Sequence, residues 1–341
     1  MTLAMELLQR LATARATEQE GPHFLSGAAL AAEFAVTRSA IWKAIGILRQ
    51  RGTQIEAITH RGYRLALPAS PLRLEQILSR LSPDTRARLR EARCVDETAS
   101  TNSVLLERGA PPPGQFDFLS AEYQNAGRGR MGRSWLAPPA GAICLSWSWC
   151  FEGMSQGLGA LSLATGVAVL RALTSLGVSG VQLKWPNDLV TAEGKLGGIL
   201  IEIRSEAAGP LHVVAGLGLN VTIGQTMRDF IGASGLRPVD LAQLVPGGTP
   251  PPREALVATI LEQNVLLLRD FARDGFAATL AEYQAADALR GRPVRLLSGS
   301  QTVSEGIARG VDVDGALLVE RDGQLHRVVA GEVSVRPGED S

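Results

Sequence analysis

Apolar residues recur every three or four positions along the N-terminal stretch of the chain. Leu3, Leu7, Leu8 and Leu11 form one stripe, the spacing of an amphipathic helix. Ser26 suits an N-cap, and the pattern predicts a second helix from there to Phe34. A break at Ala35 and Val36 precedes a third helix, Thr37 to Gln50, with Ile41, Ile45 and Leu48 on one face. Gly52 then opens a β-like stretch through Ile55 and Ile58. A turn at His60-Arg61-Gly62 and a short strand, Tyr63-Arg64-Leu65, follow. Pro68 and Pro71 bracket a linker, and a helix is expected from Leu72 to Leu89.

Beyond Cys94 the pattern changes. Ser100-Thr101-Asn102 begins a helix through Leu105 and Leu106, and Pro111, Pro112 and Pro113 force a loop. Strands are expected at Phe118 to Tyr123, Ile143 to Phe151, Val181 to Lys184, Leu196 to Ile203 and Val213 to Val221. A long helix runs from Leu158 to Leu176 and ends at Gly177. After Thr249-Pro250-Pro251-Pro252, helical spacing returns from Arg253 to Ala288. From Arg292 the chain reads as short strands, with hairpin signals at Asp314-Gly315 and Asp322-Gly323. The expected class is α+β, in three units. Residues 1–67 form a winged helix-turn-helix. Residues 72–288 form a mixed sheet packed on helices, and residues 290–341 a small β domain.

Composition adds little to this and excludes much. The chain has 341 residues, 45% hydrophobic and 20% charged, with zero formal net charge. Any basic site must therefore be local. Between Val36 and Pro68 six cations (Arg38, Lys43, Arg49, Arg51, Arg61, Arg64) face one acid, Glu56, a local +5. With Ser39 and Trp42 on the same helix, this surface suits DNA phosphates. A structural or protein-binding domain with a solvated basic face is the other reading. Three cysteines, Cys94, Cys144 and Cys150, match neither a disulfide framework nor metal-ligand spacing. With no signal peptide and no apolar run expected to cross a bilayer, a cytoplasmic protein with no membrane partner is anticipated.

The densest chemistry lies at Gly127-Arg128-Gly129-Arg130-Met131-Gly132-Arg133. Glycines let backbone N–H groups approach a ligand, and arginines supply planar cations for carboxylate or phosphate. The stretch reads as a loop closing over an anion. It satisfies G-x-G-x-x-G, and Glu152 lies at about the distance of a ribose contact. The prolines Pro138 and Pro139 nevertheless deny the helix that a dinucleotide site requires. Gly194-Lys195 is followed by leucine, so no Walker A sequence is present. No nucleophile–base pair is legible. A reaction in which the substrate carboxylate attacks the α-phosphate of ATP needs only alignment and charge neutralisation.

The order of Ser100-Thr101-Asn102, Gln124, Gly127 to Arg133, Lys184-Trp185-Pro186-Asn187-Asp188, Lys195-Leu196-Gly197-Gly198-Ile199 and Gly216 to Asn220 closely resembles bacterial biotin protein ligases. With the basic N-terminal unit and the closing Gly331-Glu332-Val333-Ser334-Val335-Arg336, the resemblance extends to the bifunctional ligases that also repress the biotin operon. It implies a catalytic domain of the biotin/lipoate ligase type and an SH3-like C-terminal barrel. It implies ATP-dependent activation of biotin to biotinyl-5′-AMP, with Mg²⁺, and transfer to a lysine of the biotin carboxyl carrier protein. It further implies an operator-binding homodimer in the ligand-bound state.

The resemblance also implies roles. Ser100, Thr101, Asn102 and Gln124 would hold the biotin head. Arg128, Gly129 and Arg130 would bind at the carboxylate and adenylate end, and Arg133 would help order the loop. Trp135 would pack over the valeryl chain or fill core space. Lys195 would meet the reacting oxygens, with Lys184 and Asn187 close by and Asp188 helping to place Mg²⁺. Asn220 and Arg336 would lie on the nucleotide side. The adenine pocket remains unassigned. Two other activities stay open: a lipoate ligase or octanoyltransferase, and a ligand-responsive DNA-binding protein without ligase activity.

Overall fold

Leu7, Leu8, Leu11, Leu30, Ile41, Ile45, Leu48, Ile55 and Leu65 share one small core. It is built by α1 (Leu3–Ala16), α2 (Gly27–Glu33), α3 (Arg38–Gln50) and the hairpin β1 (Ile55–Ile58)–β2 (Gly62–Leu65). The coordinates are a computed structural model that describes residues 2–16, 23–152, 157–205, 210–232, 237–298, 301–329 and 334–337. Ser26 and Thr37 cap α2 and α3, each accepting a backbone N–H from the first turn. Tyr63 and Leu25 exchange two backbone hydrogen bonds, so the hairpin gains a third extended partner. Gly62 is required there: its φ is 115°, and a Cβ would lie 2.1 Å from the Leu25 carbonyl oxygen.

The expected helix from Leu72 to Leu89 is instead two short ones, α4 (Leu74–Leu78) and α5 (Pro83–Arg88). Ser82 caps α5 with Pro83 at its first position, which starts a new helix rather than continuing the old one. The pattern also missed β3 (Leu89–Thr98), whose charged residues at Arg90, Glu91, Arg93, Asp96 and Glu97 hide a strand at a sheet edge. α6 (Thr101–Arg108), β4 (Phe116–Gln124) and β5 (Ala142–Phe151) follow. Next come α7 (Leu161–Ser175), β6 (Gln182–Lys184), β7 (Asp188–Val190), β8 (Lys195–Ser205) and β9 (Leu211–Asn220).

These strands make one seven-stranded sheet in the order β3-β4-β5-β9-β8-β7-β6. The β3–β4 pair is parallel and every other pair antiparallel, so the sheet is mixed. The stretch Leu158–Ser175 is apolar enough over 18 residues to pass for a membrane span, contrary to expectation. In the fold α7 is a core helix, buried from Leu161 to Leu173 on most of its surface. It packs on one face of the sheet with α10 (Arg253–Asp274) and α11 (Ala277–Ala286). The single helix expected over Arg253 to Ala288 is broken at Gly275, which takes a φ of 59°. Two short helices, α8 (Gly224–Gly232) and α9 (Leu241–Leu244), precede that pair.

The C-terminal strands β10 (Pro293–Ser298), β11 (Gln301–Val311), β12 (Leu317–Arg321), β13 (Gln324–Val328) and β14 (Ser334–Pro337) form a five-stranded antiparallel sheet. Asp322 and Gly323 both have positive φ and turn β12 into β13 in two residues. Trp185 Nε1 donates to the Gly315 carbonyl at 3.0 Å, joining this sheet to the seven-stranded one. Arg51 pairs with Glu97 at 2.6 Å and lies over the Tyr123 ring, joining the N-terminal unit to the edge of the large sheet.

Candidate active site

The face of the large sheet opposite α7 carries a cavity of about 700 Å³. Its floor follows from strand register. Cys144, Gly218 and Gly198 form one row across β5, β9 and β8, and Ser146, Gly216 and Leu200 form the next. Three glycines in two rows leave a trough. Asn102 fills the space over Gly216, where a Cβ would lie 2.2 Å from its Oδ1. The Trp135 indole covers Gly218, and it also packs with Ala137, Ala142 and Cys144.

One end of the trough is an uncharged hydrogen-bonding wall. Ser100 caps α6, while Ser100, Thr101 and Asn102 are all buried. The Thr101 backbone N–H donates to Gln124 Oε1 at 2.8 Å. Ser146 Oγ lies 2.6 Å from Thr101 Oγ1 and 2.5 Å from Asn102 Oδ1. Ser146 was not legible beforehand, because its position depends on the β5–β9 register. Arg128 also turns to this end, donating to Ser103 Oγ and Glu202 Oε2, each at 2.9 Å.

The other end is ionic. Lys195 Nζ donates to Asp188 Oδ1 at 2.6 Å. The Asn187 amide donates to the Ile199 carbonyl at 2.7 Å, which fixes the turn between β6 and β7 against β8. Lys184 lines the same cavity. Arg130 is half-buried: burial lowers its pKa, Asp188 nearby works in the opposite direction, and Arg133 adds to the lowering. At about 3.3 Å per residue, Lys195 and Leu200 stand roughly 16 Å apart along β8. The trough therefore separates a pole of uncharged hydrogen-bonding groups, edged by the Arg128–Glu202 pair, from one lined by Lys195, Asp188, Lys184 and Arg130.

The Gly/Arg segment is a folded loop. Gly129 N–H donates to the Arg133 carbonyl at 2.6 Å and Trp135 N–H to the Gly127 carbonyl at 2.9 Å. Met131 and Gly132 take φ of 55° and 71° to make the turn. Gly127 admits no side chain, since a Cβ would meet the Trp135 carbonyl oxygen at 2.4 Å. Asn220 lines the cavity with its Nδ2 donating to the Val239 carbonyl, while its Oδ1 is buried with no partner among the described residues. Phe230, Ile231, Pro238 and Val335 form an apolar margin that the sequence did not disclose. Arg336 is paired with Arg295 through β14, but its side chain lies outside the described residues, as do Gly331, Glu332 and Val333.

On the N-terminal unit, Arg38, Ser39, Trp42 and Lys43 are exposed on α3, Trp42 to 67%. Arg49 is exposed as well, and its guanidinium donates to the Ile55 carbonyl at 2.6 Å and 3.1 Å. Arg64 reaches Glu56 at 3.3 Å, and Arg61 lies over the Phe24 ring.

A helix-turn-helix unit thus stands beside a sheet whose glycine floor carries a cavity with two chemically different ends. The Biotin/lipoate A/B protein ligase family matches residues 94–220, the Biotin protein ligase C terminal domain residues 290–336, and an HTH domain residues 15–64. The bifunctional ligase/repressor BirA of Escherichia coli is 34% identical over 93% of this chain and 94% of its own length. The biotin–[acetyl-CoA-carboxylase] ligase of Mycobacterium tuberculosis is 36% identical over 72% of this chain and 88% of its own. The solved biotin protein ligase of Aquifex aeolicus with biotin and ATP superposes with a TM-score of 0.59 at 25% identity, covering 73% of this chain and all of that one. The chain belongs to the biotin protein ligases, among the bifunctional ligase/repressor homologues.

Proposed function

We propose that this chain activates biotin with ATP and transfers it to a lysine of the biotin carboxyl carrier protein. The single observation that carries this is the trough, with an uncharged hydrogen-bonding wall at one pole and Lys195, Asp188 and Arg130 at the other. A neutral ureido ring, once buried, needs neutral donors and acceptors. Ser100, Thr101, Asn102 and Gln124 supply them, with Arg128 at their edge. The valeryl chain runs along the trough between its two poles, beside the Trp135 indole that covers Gly218. Its carboxylate reaches Lys195, Lys184 and Arg130.

The carboxylate oxygen attacks the α-phosphorus, the bond to the bridging oxygen breaks, and pyrophosphate leaves. Arg130 and Lys195 offset the charge on the phosphate oxygens. Arg133, Asn187 and Asn220 flank the nucleotide, Arg336 joins them, and the adenine lies against Phe230 and Ile231. In the second step the carrier lysine's amine attacks the acyl carbon, loses a proton, and AMP departs. Asp188, the one carboxylate lining the cavity among the described residues, would hold a Mg²⁺ ion together with the ATP phosphates, since magnesium commonly uses one or two carboxylates plus substrate phosphates; the ion would help neutralise the phosphate charge. Incubation with biotin, ATP and Mg²⁺, followed by mass spectrometry, should find biotinyl-5′-AMP bound, and an added carrier domain should become biotinylated. Release of pyrophosphate with lipoate but not biotin would overturn the reading.

The repressor role rests on the exposed face of α3. In this reading the β1–β2 hairpin is a wing, with Arg61 and Arg64 beside phosphates, while Arg38, Ser39, Trp42 and Lys43 meet the groove. Arg49, exposed at the end of α3, braces the wing through the Ile55 carbonyl. The C-terminal sheet closes as an SH3-like barrel. The ligand-bound protein is a cytoplasmic homodimer on operator DNA. Gel shifts with DNA upstream of the protein's own biotin genes, at stated salt, should need biotin plus ATP. Adenylate formation without carrier labelling would favour a ligand-responsive DNA-binding protein. A transferase using a cysteine is disfavoured, since burial pushes Cys94 up to about 12 and Cys144 up to about 11.

A further inference from the structure

Glu202 stands near the end of β8, outside every motif that marks the family resemblance. One of its oxygens, Oε2, accepts from two donors. Asn102 Nδ2 lies 2.9 Å away, and so does a terminal guanidinium nitrogen of Arg128. Asn102 Nδ2 also donates to the Leu200 carbonyl at 3.2 Å. With the amide nitrogen drawn to β8, Asn102 Oδ1 is left facing Ser146 Oγ above Gly216. Swapping the amide's two ends would set an oxygen against both a carboxylate and a carbonyl. Glu202, with the shorter bond, and the Leu200 carbonyl together set which end of Asn102 looks into the wall of the trough.

The same oxygen reaches the root of the Gly/Arg loop. Arg128 bridges to Ser134 through the backbone at the loop's neck, and its side chain holds Ser103 of α6 as well as Glu202. Head wall and loop neck therefore share one anchor. The Arg128 side chain is 44% exposed and that of Glu202 23%. Such pairs add little to global stability, so the contribution of this one is placement.

We propose that Glu202 is a positioning residue for the biotin head. It orients Asn102 and fixes Arg128, and so sets biotin affinity without touching ATP. This rests on the reading of the cavity as a biotin site. The test measures biotin binding by calorimetry without nucleotide, the KM for ATP at saturating biotin, and the melting temperature. Glu202→Ala should weaken biotin binding by about tenfold or more, the scale of one charge-assisted hydrogen bond. The KM for ATP and the melting temperature should stay near those of the parent protein. The near-isosteric Glu202→Gln keeps an acceptor for Asn102 but loses the charge on Arg128, and should fall in between. In Arg128→Ala, adding Glu202→Ala should cost less than it does alone.

Unchanged biotin affinity in Glu202→Ala would overturn the proposal. So would equal losses for biotin and ATP together with a lower melting temperature, the signature of a structural role. If the unsubstituted protein bound no biotin, the site reading itself would fall; a variant that bound it like the parent would sink only the role of Glu202.

Discussion

Lys195 Nζ lies 2.6 Å from Asp188 Oδ1, across the β7–β8 pair and directly beside Gly198, where a Cβ would approach Nζ to 3.3 Å. The lysine is held over the trough by an internal carboxylate, in the position where an incoming anion competes for it. Lys195→Ala should lower pyrophosphate release from biotin and ATP on the order of 100- to 1000-fold, as for loss of one donor to a developing oxyanion. Steady-state rates check this; a rate near that of the parent would remove Lys195 from the chemistry.

Gly218 carries the indole of Trp135 where any side chain would collide, with an added Cβ 2.3 Å from a ring carbon. Gly218→Ala should displace Trp135 or the strand, at the overpacking scale of about 1–3 kcal/mol. Biotinyl-5′-AMP should then dissociate faster, and the displaced indole should alter tryptophan fluorescence. An unchanged off-rate would mean that Trp135 only fills space.

Burial raises the Cys144 thiol to about 11, Trp135 and Arg253 working in the opposite direction. At pH 8 the native protein should leave Cys144 unalkylated by iodoacetamide, because the side chain is 2% exposed and burial holds it as the thiol. Labelling should proceed freely after denaturation. Peptide mass spectrometry reads the outcome, and rapid native labelling at pH 8 would contradict it.

Arg253 and Glu122, 8% and 6% exposed, pair at 2.9 Å where α10 meets β4. Glu122 also accepts from the backbone of Leu72 and Ala140, and Arg253 donates to Ser70 and Ala142. Glu122→Ala should destabilise by about 3–5 kcal/mol, since it leaves a buried cation alone. Denaturant titration measures this; a loss below about 1 kcal/mol would show that water replaces the carboxylate.

Lys43 is exposed on α3. Lys43→Ala should weaken operator binding uniformly across sequences and reduce the salt slope by about 1, with carrier biotinylation unchanged. Binding measured across a salt series decides it, and an unaltered slope would exclude a phosphate contact.

Helix periodicity disclosed α2 and α3 almost to their caps, because Ser26 and Thr37 signal locally. β3 stayed hidden because an edge strand covered in Arg, Glu and Asp has no alternation to read. Motif order pointed to Ser100 through Asn102, Gln124, Arg130 and Lys195 as residues of one site, and they share one cavity. Ser146 and Glu202 escaped notice because only strand register sets them beside Asn102. Phe230 and Ile231 escaped because an isolated apolar pair on a short helix resembles ordinary packing.

The same short helix, α8, stands between two regions. Its Met227 methyl lies where a Cβ on Gly52 would be, 2.0 Å away, and Thr226 Oγ1 accepts from Gln54 at 3.4 Å. Further along, Phe230 and Ile231 border the cavity. A shared wall obliges reciprocity: if ligand in the trough shifts α8 and with it the affinity for DNA, DNA shifts affinity for that ligand by the same factor. Operator occupancy would then be readable from the trough itself, as a change in how tightly it keeps its contents.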